Sequence, residues 1–542
     1  MEPPAGSAGE PGGMGIARAA GVISLATFLS RVLGLIREQV FAVFFGAGFA
    51  VDAFQVAFRI PNLLRDLFAE GAMSAAFVPT LTSTRERQGD QATLRLANLV
   101  INFLLVVLSG ICLVGILGAK WFVPLLAPGF GRVEGKLELT TLMAQIMMPF
   151  LLLVALAAAV MGVLNTRRIY FIPAVAPTML NLALIASGFV IAPFMPRFGL
   201  EPIVGMAIGA TLGGLGQLLI QVPALRGLGF RWRPIVSFRD PGVLRITALM
   251  APAAVGLAAT QVNIFVNTLL ASLLRQGSVS WLNYAYRLMQ LPIGLFGVAI
   301  ATVTLAEVSR HAARKDMAEL KRTLSFSLRF VFFLTLPATL LLVALAQPIV
   351  ALLYQHGRFG PEDTIQTAQA LWAYAVGLAA FSAVRVLVPV CYSLGMTRLP
   401  VTVSFITIAA NVVLNFALMV PLQHRGLALA TSIASVLNFI LLFEVLRRKI
   451  GRLGGAGIAR SAGKILAASG IAAAAGYFAA SSVGHALGSE GLLERVSIVG
   501  AGLLAGLLTY LAACVALRIE EAAPAFLAAA RVLGARPRPP GR

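Results

Sequence analysis

Charged side chains are scarce in this sequence. Only 12% of its 542 residues are Asp, Glu, Lys or Arg, whereas 58% are hydrophobic and the mean hydropathy is +0.87. Soluble domains carry roughly a quarter charged residues, so water is not the main solvent of this chain. Apolar runs of about 20 residues recur along it, and each can cross a hydrocarbon layer of roughly 30 Å. The sequence therefore predicts an all-α polytopic membrane protein with about fourteen transmembrane helices.

Residues that bind metals or carry acid–base chemistry are also few. The four histidines are scattered over predicted loops, and each of the three cysteines lies alone inside an apolar run. Such spacing suits neither a metal site nor a disulfide framework. The EGKLE segment at 134–138 lacks the glycine spacing and the Ser/Thr of a nucleotide-binding P-loop. We therefore expect no catalytic residue, no metal site and no cofactor, which argues against an enzyme.

Positive charge is concentrated on one side of the membrane. The chain has 43 Lys and Arg against 22 Asp and Glu, and most of the basic residues fall in alternate loops. By the positive-inside rule these loops and both termini are cytoplasmic. The opposite loops, among which we place Lys136, hold few basic residues. Because the charges line one membrane face, we expect them to contact membrane lipids and not nucleic acid.

Six arginines remain inside the predicted membrane spans. A charged side chain at the bilayer centre costs at least about 2.5 kcal/mol, so it normally faces a protein interior or a wet cavity. Guanidinium groups match phosphate oxygens in bidentate geometry, which favours a phosphate-bearing ligand over a carboxylate, although a carboxylate stays open. For Arg59 and Arg385, snorkelling from a helix end is an equally good explanation. The six are Arg31, Arg37, Arg59, Arg65, Arg287 and Arg385.

Acidic residues at similar depth neutralise part of this charge. They are Glu38, Asp52, Asp66 and Glu70, all in the first part of the chain. Arg37 is adjacent to Glu38 and Arg65 to Asp66, so these neighbours can form structural pairs. The arginines outnumber the acids, and the surplus positive charge predicts an anionic ligand.

Two parts of the chain resemble each other. AFRIPNLLRDLF from Ala57 aligns without gaps with AYRLMQLPIGLF from Ala285, which places Arg59 opposite Arg287. A repeat of six spans keeps the same orientation in the membrane, so two six-helix lobes should flank a central cavity. This predicts a disordered tail at 1–17, an N-lobe at 18–225, a basic cytoplasmic linker at 226–245, a C-lobe at 246–448, a second basic linker at 449–464, two extra helices at 465–517 and a cytoplasmic tail at 518–542.

Five motifs carry a resemblance to a known family. They are SRVLGLIRE from Ser30, VDAFQVAFRIPNLLRDLFAEGAMSAAFVP from Val51, APGF from Ala127, GSVSWLNYAYRLMQLPIGLFGVAI from Gly277 and AVRVLVPVCYS from Ala383. With them the chain resembles the bacterial MurJ/MviN lipid II flippases, within the superfamily of MATE drug exporters and polysaccharide flippases. In some members acidic residues occupy the positions of Tyr286 and Gln290.

The resemblance implies a transporter of the bacterial inner membrane. Its cargo would be lipid II, the undecaprenyl-diphosphate-linked peptidoglycan precursor, moved from the cytoplasmic to the periplasmic leaflet by alternating access. The resemblance also implies which residues contact the cargo. The diphosphate would be bound by Arg31, Arg37, Arg65 and Arg287, with Glu38, Asp52, Arg59, Glu70 and Arg385 as supporting cavity charges.

Two other functions stay open. A flippase for another polyprenyl-diphosphate-linked oligosaccharide would recognise the same anionic group, whereas a MATE-like cation or drug antiporter should have an acid-rich cavity. The membrane potential or a monovalent cation could drive the cycle. Asn411 and Asn415 could ligate such a cation, although interhelical hydrogen bonding explains them better. We expect a monomer whose partners are lipid II, membrane lipids and other cell-wall synthesis proteins.

Overall fold

The computed structural model describes residues 13–66, 72–488 and 490–523, and within these ranges the regular elements are helices without any strand. The all-α class is therefore confirmed. The chain divides into two compact units. The first consists of Met1–Phe45 and Phe49–Gln261, and the second of Gly46–Gly48 and Val262–Arg542. The division falls inside a helix and not in a loop, and the predicted domain ranges stay a prediction.

The first unit is built from long apolar helices joined by short turns. Its helices are α1 Gly13–Phe45, α2 Phe49–Arg65, α3 Ala72–Leu126, α4 Lys136–Thr166, α5 Phe171–Val175, α6 Thr178–Val190, α7 Val204–Leu219, α8 Val222–Gly227 and the first part of α9 Pro241–Ser272. Gly89 interrupts α3 with a φ of 81°, which L side chains rarely adopt. The interruption lies between the predicted spans 54–82 and 96–117, so α3 contains the end of the first span and the whole of the second.

The second unit begins within α9 and contains the remaining helices. They are α10 Ser278–Pro292, α11 Val298–Ala313, α12 Met317–Ala344, α13 Ala346–Tyr354, α14 Pro361–Ala375, α15 Leu378–Ser393, α16 Arg398–Leu422, α17 His424–Ile450, α18 Gly455–Leu487 and α19 Leu492–Ala516. A π-helical turn, Ile293–Gly297, joins α10 to α11. The predicted extra helices correspond to α18 and α19, which pack on each other and on α12.

The predicted number of spans is not confirmed. Among the described residues, ten helices are long and apolar enough to cross a membrane, or eleven if α14 and α15, bent by 44°, form one broken span. The number is below fourteen partly because α3 counts once. The chain is nevertheless a multi-pass membrane protein by length and composition of these helices.

An ionic group ties the segment around the glycine interruption of α3 to the C-terminal end of α4. Asp90, directly after the glycine interruption, accepts hydrogen bonds from Arg85 at 3.1 Å and from Arg167 at 2.8 Å. Nη1 of Arg85 also donates to the backbone oxygen of Thr166 at 2.8 Å. Desolvation raises the pKa of Asp90, but the hydrogen bonds from the two arginines outweigh it and hold the pKa below its usual value.

A buried ion pair joins α2 to α4 inside the first unit. Nζ of Lys136 donates to Oδ2 of Asp52 at 2.9 Å, and each side chain is only 2% exposed. The same ammonium lies 4.2 Å from the ring centroid of Phe130. The prediction that Lys136 lies in a loop is wrong, because it is the first residue of α4 and is buried against Asp52.

Removing the ammonium should destabilise the protein strongly. We expect Lys136→Met to lower the free energy of unfolding by about 3–5 kcal/mol, because the Asp52 carboxylate stays buried without its cationic partner. Thermal unfolding of the purified protein in detergent measures this loss. The double variant Asp52→Asn/Lys136→Met should recover much of it, and Lys120→Met, at an exposed lysine, should leave the melting temperature unchanged. Equal melting temperatures of wild type and Lys136→Met would contradict this role of the pair.

Candidate functional site

Arg37 is buried in the first unit and contacts polar side chains of the protein. Its Nη1 donates to Oδ1 of Asn181 on α6 at 3.0 Å, and its Nη2 pairs with the carboxylate of Glu38. Nδ2 of Asn181 donates in turn to the backbone oxygen of Ser30 at 3.1 Å. The amide therefore bridges two positions of α1. These bonds satisfy the guanidinium in a layer where water is scarce.

Arg65 is the last residue of α2 and is paired with its neighbour. Its Nε and Nη2 both donate to Oδ1 of Asp66, at 3.2 and 2.7 Å. Oδ2 of Asp66 accepts from Nε2 of Gln261 on α9 at 3.3 Å. Arg65 is 20% exposed, so part of its guanidinium stays accessible while the carboxylate fixes its position.

Arg31 and Arg37 occupy different sides of α1. Six residues separate them, which corresponds to a rotation of about 240° around a helix and a rise of about 9 Å. Arg31 is exposed whereas Arg37 is buried. Of the other predicted charges in this unit, Arg59 is half-buried on α2 and Asp52 is buried against Lys136. Glu70 lies outside the described residues.

The second unit carries Arg287 on α10. It is exposed together with Tyr286, whereas the following residues Leu288 and Met289 are buried. The helix continues through Pro292 and the π-helical turn into α11, and Ser278–Ala313 is one candidate span. Nine residues separate Arg287 from the first residue of this span, a rise of about 14 Å. Arg287 therefore lies within a candidate membrane span and not in a loop.

Arg385 lies on α15, which passes close to the π-helical turn. A Cβ added to Gly297 would lie 3.2 Å from Cβ of Ser382, so glycine permits the close approach of the two segments. Arg385 follows Ser382 by three residues and is exposed. The four predicted diphosphate ligands are thus divided between the units: three belong to the first and Arg287 to the second.

A buried amide network joins α9 to α16 in the second unit. Nδ2 of Asn415 donates to Oδ1 of Asn267 at 2.6 Å and to Oδ1 of Asn411 at 3.0 Å. The interhelical hydrogen bond predicted for this pair of positions is therefore present. Within the described part of the chain, no group of three or more His, Cys, Asp or Glu side chains could hold a metal ion.

Comparison with known proteins identifies the family of this chain. Residues 41–496 match the family model described as "Lipid II flippase MurJ". A relative from Vibrio cholerae serotype O1, named "Probable lipid II flippase MurJ", is 38% identical over 430 residues, which are 78% of this chain and 81% of the relative. The "Lipid II flippase MurJ" of Burkholderia cenocepacia is 37% identical over 440 residues, 80% of this chain and 84% of that protein. The chain belongs to the MurJ lipid II flippase family.

Solved structures agree with MurJ family membership and with the superfamily fold. A structure named "Lipid II flippase MurJ, inward closed conformation" has a TM-score of 0.73 at 25% identity and covers 90% of this chain and 97% of its own. An inward-facing MATE family multidrug transporter has a TM-score of 0.66 at 13% identity, covering 82% of this chain and 99% of its own. At that identity the second likeness shows the fold alone.

Two residues that contact predicted site charges were missing from the sequence-based site. Asn181 was overlooked although it is an amide in the apolar helix α6, LNLALIAS, where a polar side chain needs a partner. Lys136 was assigned to a loop because nothing nearby in the sequence indicates Asp52 as its partner. Both residues contact a charged side chain that is distant in sequence.

Asn181 should stabilise the helix pair α1–α6 through Arg37. We expect Asn181→Ala to lower the free energy of unfolding by about 1–3 kcal/mol, because Nη1 of Arg37 loses its acceptor in a buried place. Thermal unfolding in detergent measures the change. Ser187→Ala, at a buried hydroxyl about 9 Å further along the same helix, is the control and should cost less. A loss in Asn181→Ala no larger than in this control would contradict the bridging role.

Proposed function

We propose that the protein flips lipid II from the cytoplasmic to the periplasmic leaflet by alternating access. The observation that carries this proposal is the position of Arg287, an exposed arginine about 14 Å inside a membrane span of a MurJ family member. An exposed guanidinium at this depth faces either lipid, at high cost, or a wet cavity. An anionic cargo that enters such a cavity would pair with the guanidinium.

The chemistry of arginine favours a diphosphate as the group that is bound. We propose that Arg31, Arg37, Arg65 and Arg287 contact the diphosphate, since each guanidinium can offer two parallel N–H groups to phosphate oxygens. Arg31 and Arg287 are exposed and reach a ligand directly. Arg37 and Arg65 share their donors with Glu38 and Asp66, so the carboxylates keep these two forks oriented while no cargo is bound.

Lipid II is the cargo that the relatives' names support. The Vibrio and Burkholderia relatives are both named as lipid II flippases, and the chain matches most of the length of each. The sugar-peptide head of such a lipid cannot cross hydrocarbon unaided, because its polar groups would lose their hydration. We propose that the head crosses within the protein while the polyprenyl tail stays in the surrounding lipid.

The membrane potential is the energy source that we propose for the cycle. With the cell interior negative, moving one net negative charge outward is favourable by about 2.3 kcal/mol per 100 mV. We also propose that both termini lie in the cytoplasm, which the excess of basic residues in the loops on that side supports. Asn267, Asn411 and Asn415 have neutral amide side chains. The hydrogen bonds from Asn415 to the other two give the three residues a structural role.

Arg287→Ala should weaken the binding of lipid II. We expect the dissociation constant to rise about ten- to a hundredfold, because one charge-assisted interaction of about 1.5–3 kcal/mol is lost. Binding of lipid II to the purified variant measures this effect. Arg287→Lys should lie between wild type and Arg287→Ala, because an ammonium keeps the charge but not the fork.

Arg275→Ala is the matched control for this experiment. Arg275 is an exposed arginine in the loop between α9 and α10 of the same unit. It pairs with Glu362 at 3.2 Å, and its removal should leave the dissociation constant for lipid II unchanged. Unchanged affinity in Arg287→Ala would remove this residue from the site. Preferential binding of a different polyprenyl-diphosphate-linked oligosaccharide by the wild type would favour the other flippase function.

Transport should depend on voltage. In proteoliposomes whose cytoplasmic side is made negative with a potassium gradient and valinomycin, we expect the outward transport of lipid II to accelerate. If one whole charge crosses the field in the slow step, the rate rises up to about fiftyfold per 100 mV. If the rate of lipid II transport did not change with the potential but required a gradient of one monovalent cation, the coupling would be assigned to that cation instead.

A further inference from the structure

The segment between α8 and α9 is an extended chain that α3 holds by its backbone. Nδ2 of Asn98 donates to the backbone oxygen of Arg231 at 2.7 Å, and Oδ1 of Asn98 accepts from the backbone nitrogen of Arg233 at 3.1 Å. Nδ2 of Asn102 donates to the backbone oxygens of Arg233 and Ile235 at 2.6 and 3.0 Å. Two amides of one helix face thus fix three alternate residues of the segment, which we name the linker strand, residues 231–239.

These contacts place the linker strand at the edge of the membrane. Asn98 and Asn102 belong to the first two turns of the apolar run that begins at Leu96, a rise of about 9 Å from its start. In a bilayer, the start of such an apolar run corresponds to the boundary between headgroups and acyl chains, so the two amides lie just on the acyl-chain side of this boundary. Since the basic loops are proposed to be cytoplasmic, the boundary is that of the cytoplasmic leaflet.

A cationic pocket lies between the linker strand and α3. Its volume is about 1070 Å³, and exposed arginines from both walls line it: Arg95 from α3, and Arg231 and Arg233 from the linker strand. Asp240 is the single acidic residue among the described residues of the lining. Its Oδ1 accepts from the backbone nitrogen of Gly242 at 2.8 Å, so this carboxylate caps the start of α9. The pocket therefore keeps a surplus of positive charge.

Large apolar side chains alternate with these arginines. Trp232 is 58% exposed and Phe238 51%, and Ile235 and Val236 are exposed as well. The ring of Trp232 stays accessible although its Nε1 donates to Oδ1 of Asn102 at 2.9 Å. Exposed aromatic and aliphatic groups beside arginines are typical of segments that lie in the membrane interface. A soluble anion would contact only the pocket and leave these side chains in water.

We propose that this pocket binds the phosphate of an anionic phospholipid from the cytoplasmic leaflet, whose acyl chains cover the exposed apolar residues of the linker strand. The site goes beyond the proposed transport of lipid II, because it lies within the first unit and contains none of the four proposed diphosphate ligands. The bound lipid holds the linker strand at the membrane surface. This segment leads into α9, the helix within which the chain passes from the first unit to the second.

Native mass spectrometry of the full-length protein in a neutral detergent tests this proposal. Phosphatidylglycerol and phosphatidylcholine with identical acyl chains are titrated separately, with inorganic phosphate as a soluble competitor. We expect phosphatidylglycerol to bind more tightly than phosphatidylcholine. Arg231→Gln/Arg233→Gln should raise its dissociation constant about thirtyfold, because each arginine near a membrane surface contributes about a factor of five. Arg95→Gln, on the opposite wall, should weaken binding about fivefold.

Arg452→Gln/Arg460→Gln is the matched control, since it removes the same charge from exposed arginines of the second basic linker. It should leave the dissociation constant unchanged. A second variant, Ile235→Ser/Val236→Ser, should weaken the binding of phosphatidylglycerol without altering any charge, because the acyl chains lose their contacts.

Four results would overturn the proposal. Equal losses in the two double-arginine variants would show only a general effect of surface charge, and equal affinity for the two lipids would exclude headgroup selection. Displacement of the lipid by inorganic phosphate at comparable concentration would make the pocket a site for soluble anions. If Arg231→Gln/Arg233→Gln weakened the binding of undecaprenyl diphosphate as strongly as that of phosphatidylglycerol, the pocket would belong to the cargo site.

Discussion

A hydrocarbon layer cannot solvate a charge, and this constraint governs the polar residues of the protein. The described charges inside the spans fall into two groups according to how they satisfy it. Lys136 and Arg37 are buried and contact polar groups of another helix: Lys136 pairs with Asp52 of α2, and Arg37 donates to Asn181 of α6. Arg31 and Arg287 are exposed instead. Because exposure to lipid is costly, a wet cavity is the environment that we propose for these two side chains.

The paired arginines connect the stability of the protein to its function. A buried pair contributes little net stability, since the desolvation of both charges offsets most of their attraction, but the loss of one partner is expensive. Arg37 is therefore fixed by Glu38 and Asn181 in a geometry that does not depend on a ligand. A ligand that meets such preoriented donors has less conformational entropy to lose on binding. The same bonds that hold α1 to α6 thus keep in place one of the donor groups that we propose for the cargo.

Sequence and structure agree where the signal is local and differ where a partner is remote. Hydropathy predicted the helices, and the adjacency of Arg37 and Glu38, or of Arg65 and Asp66, predicted ion pairs that the structure contains. Lys136 was misplaced because its partner lies 84 residues away, and helix packing alone brings the two together. The predicted number of spans is not confirmed. Gly89 interrupts α3 only locally, and the helix Ala76–Leu126 counts as one candidate span among the described residues.

The two anion sites proposed for this protein differ in the dielectric environment of their arginines. Arg287 lies within a candidate span, about 14 Å along the helix from its first residue, where a lower dielectric strengthens the attraction to a phosphate. Arg231 and Arg233 are exposed at the membrane edge, within reach of salt whose Debye length is about 8 Å at physiological ionic strength. Each arginine there adds a small contribution to the free energy of lipid binding. Such weak binding suits a lipid that must exchange with its leaflet. The deep arginine suits a cargo that has to be selected, because a charge-assisted hydrogen bond is strong where little water competes for it. Arginine can therefore retain surface lipids and select a cargo in the same protein. The depth of the side chain in the membrane determines which of these two roles it has.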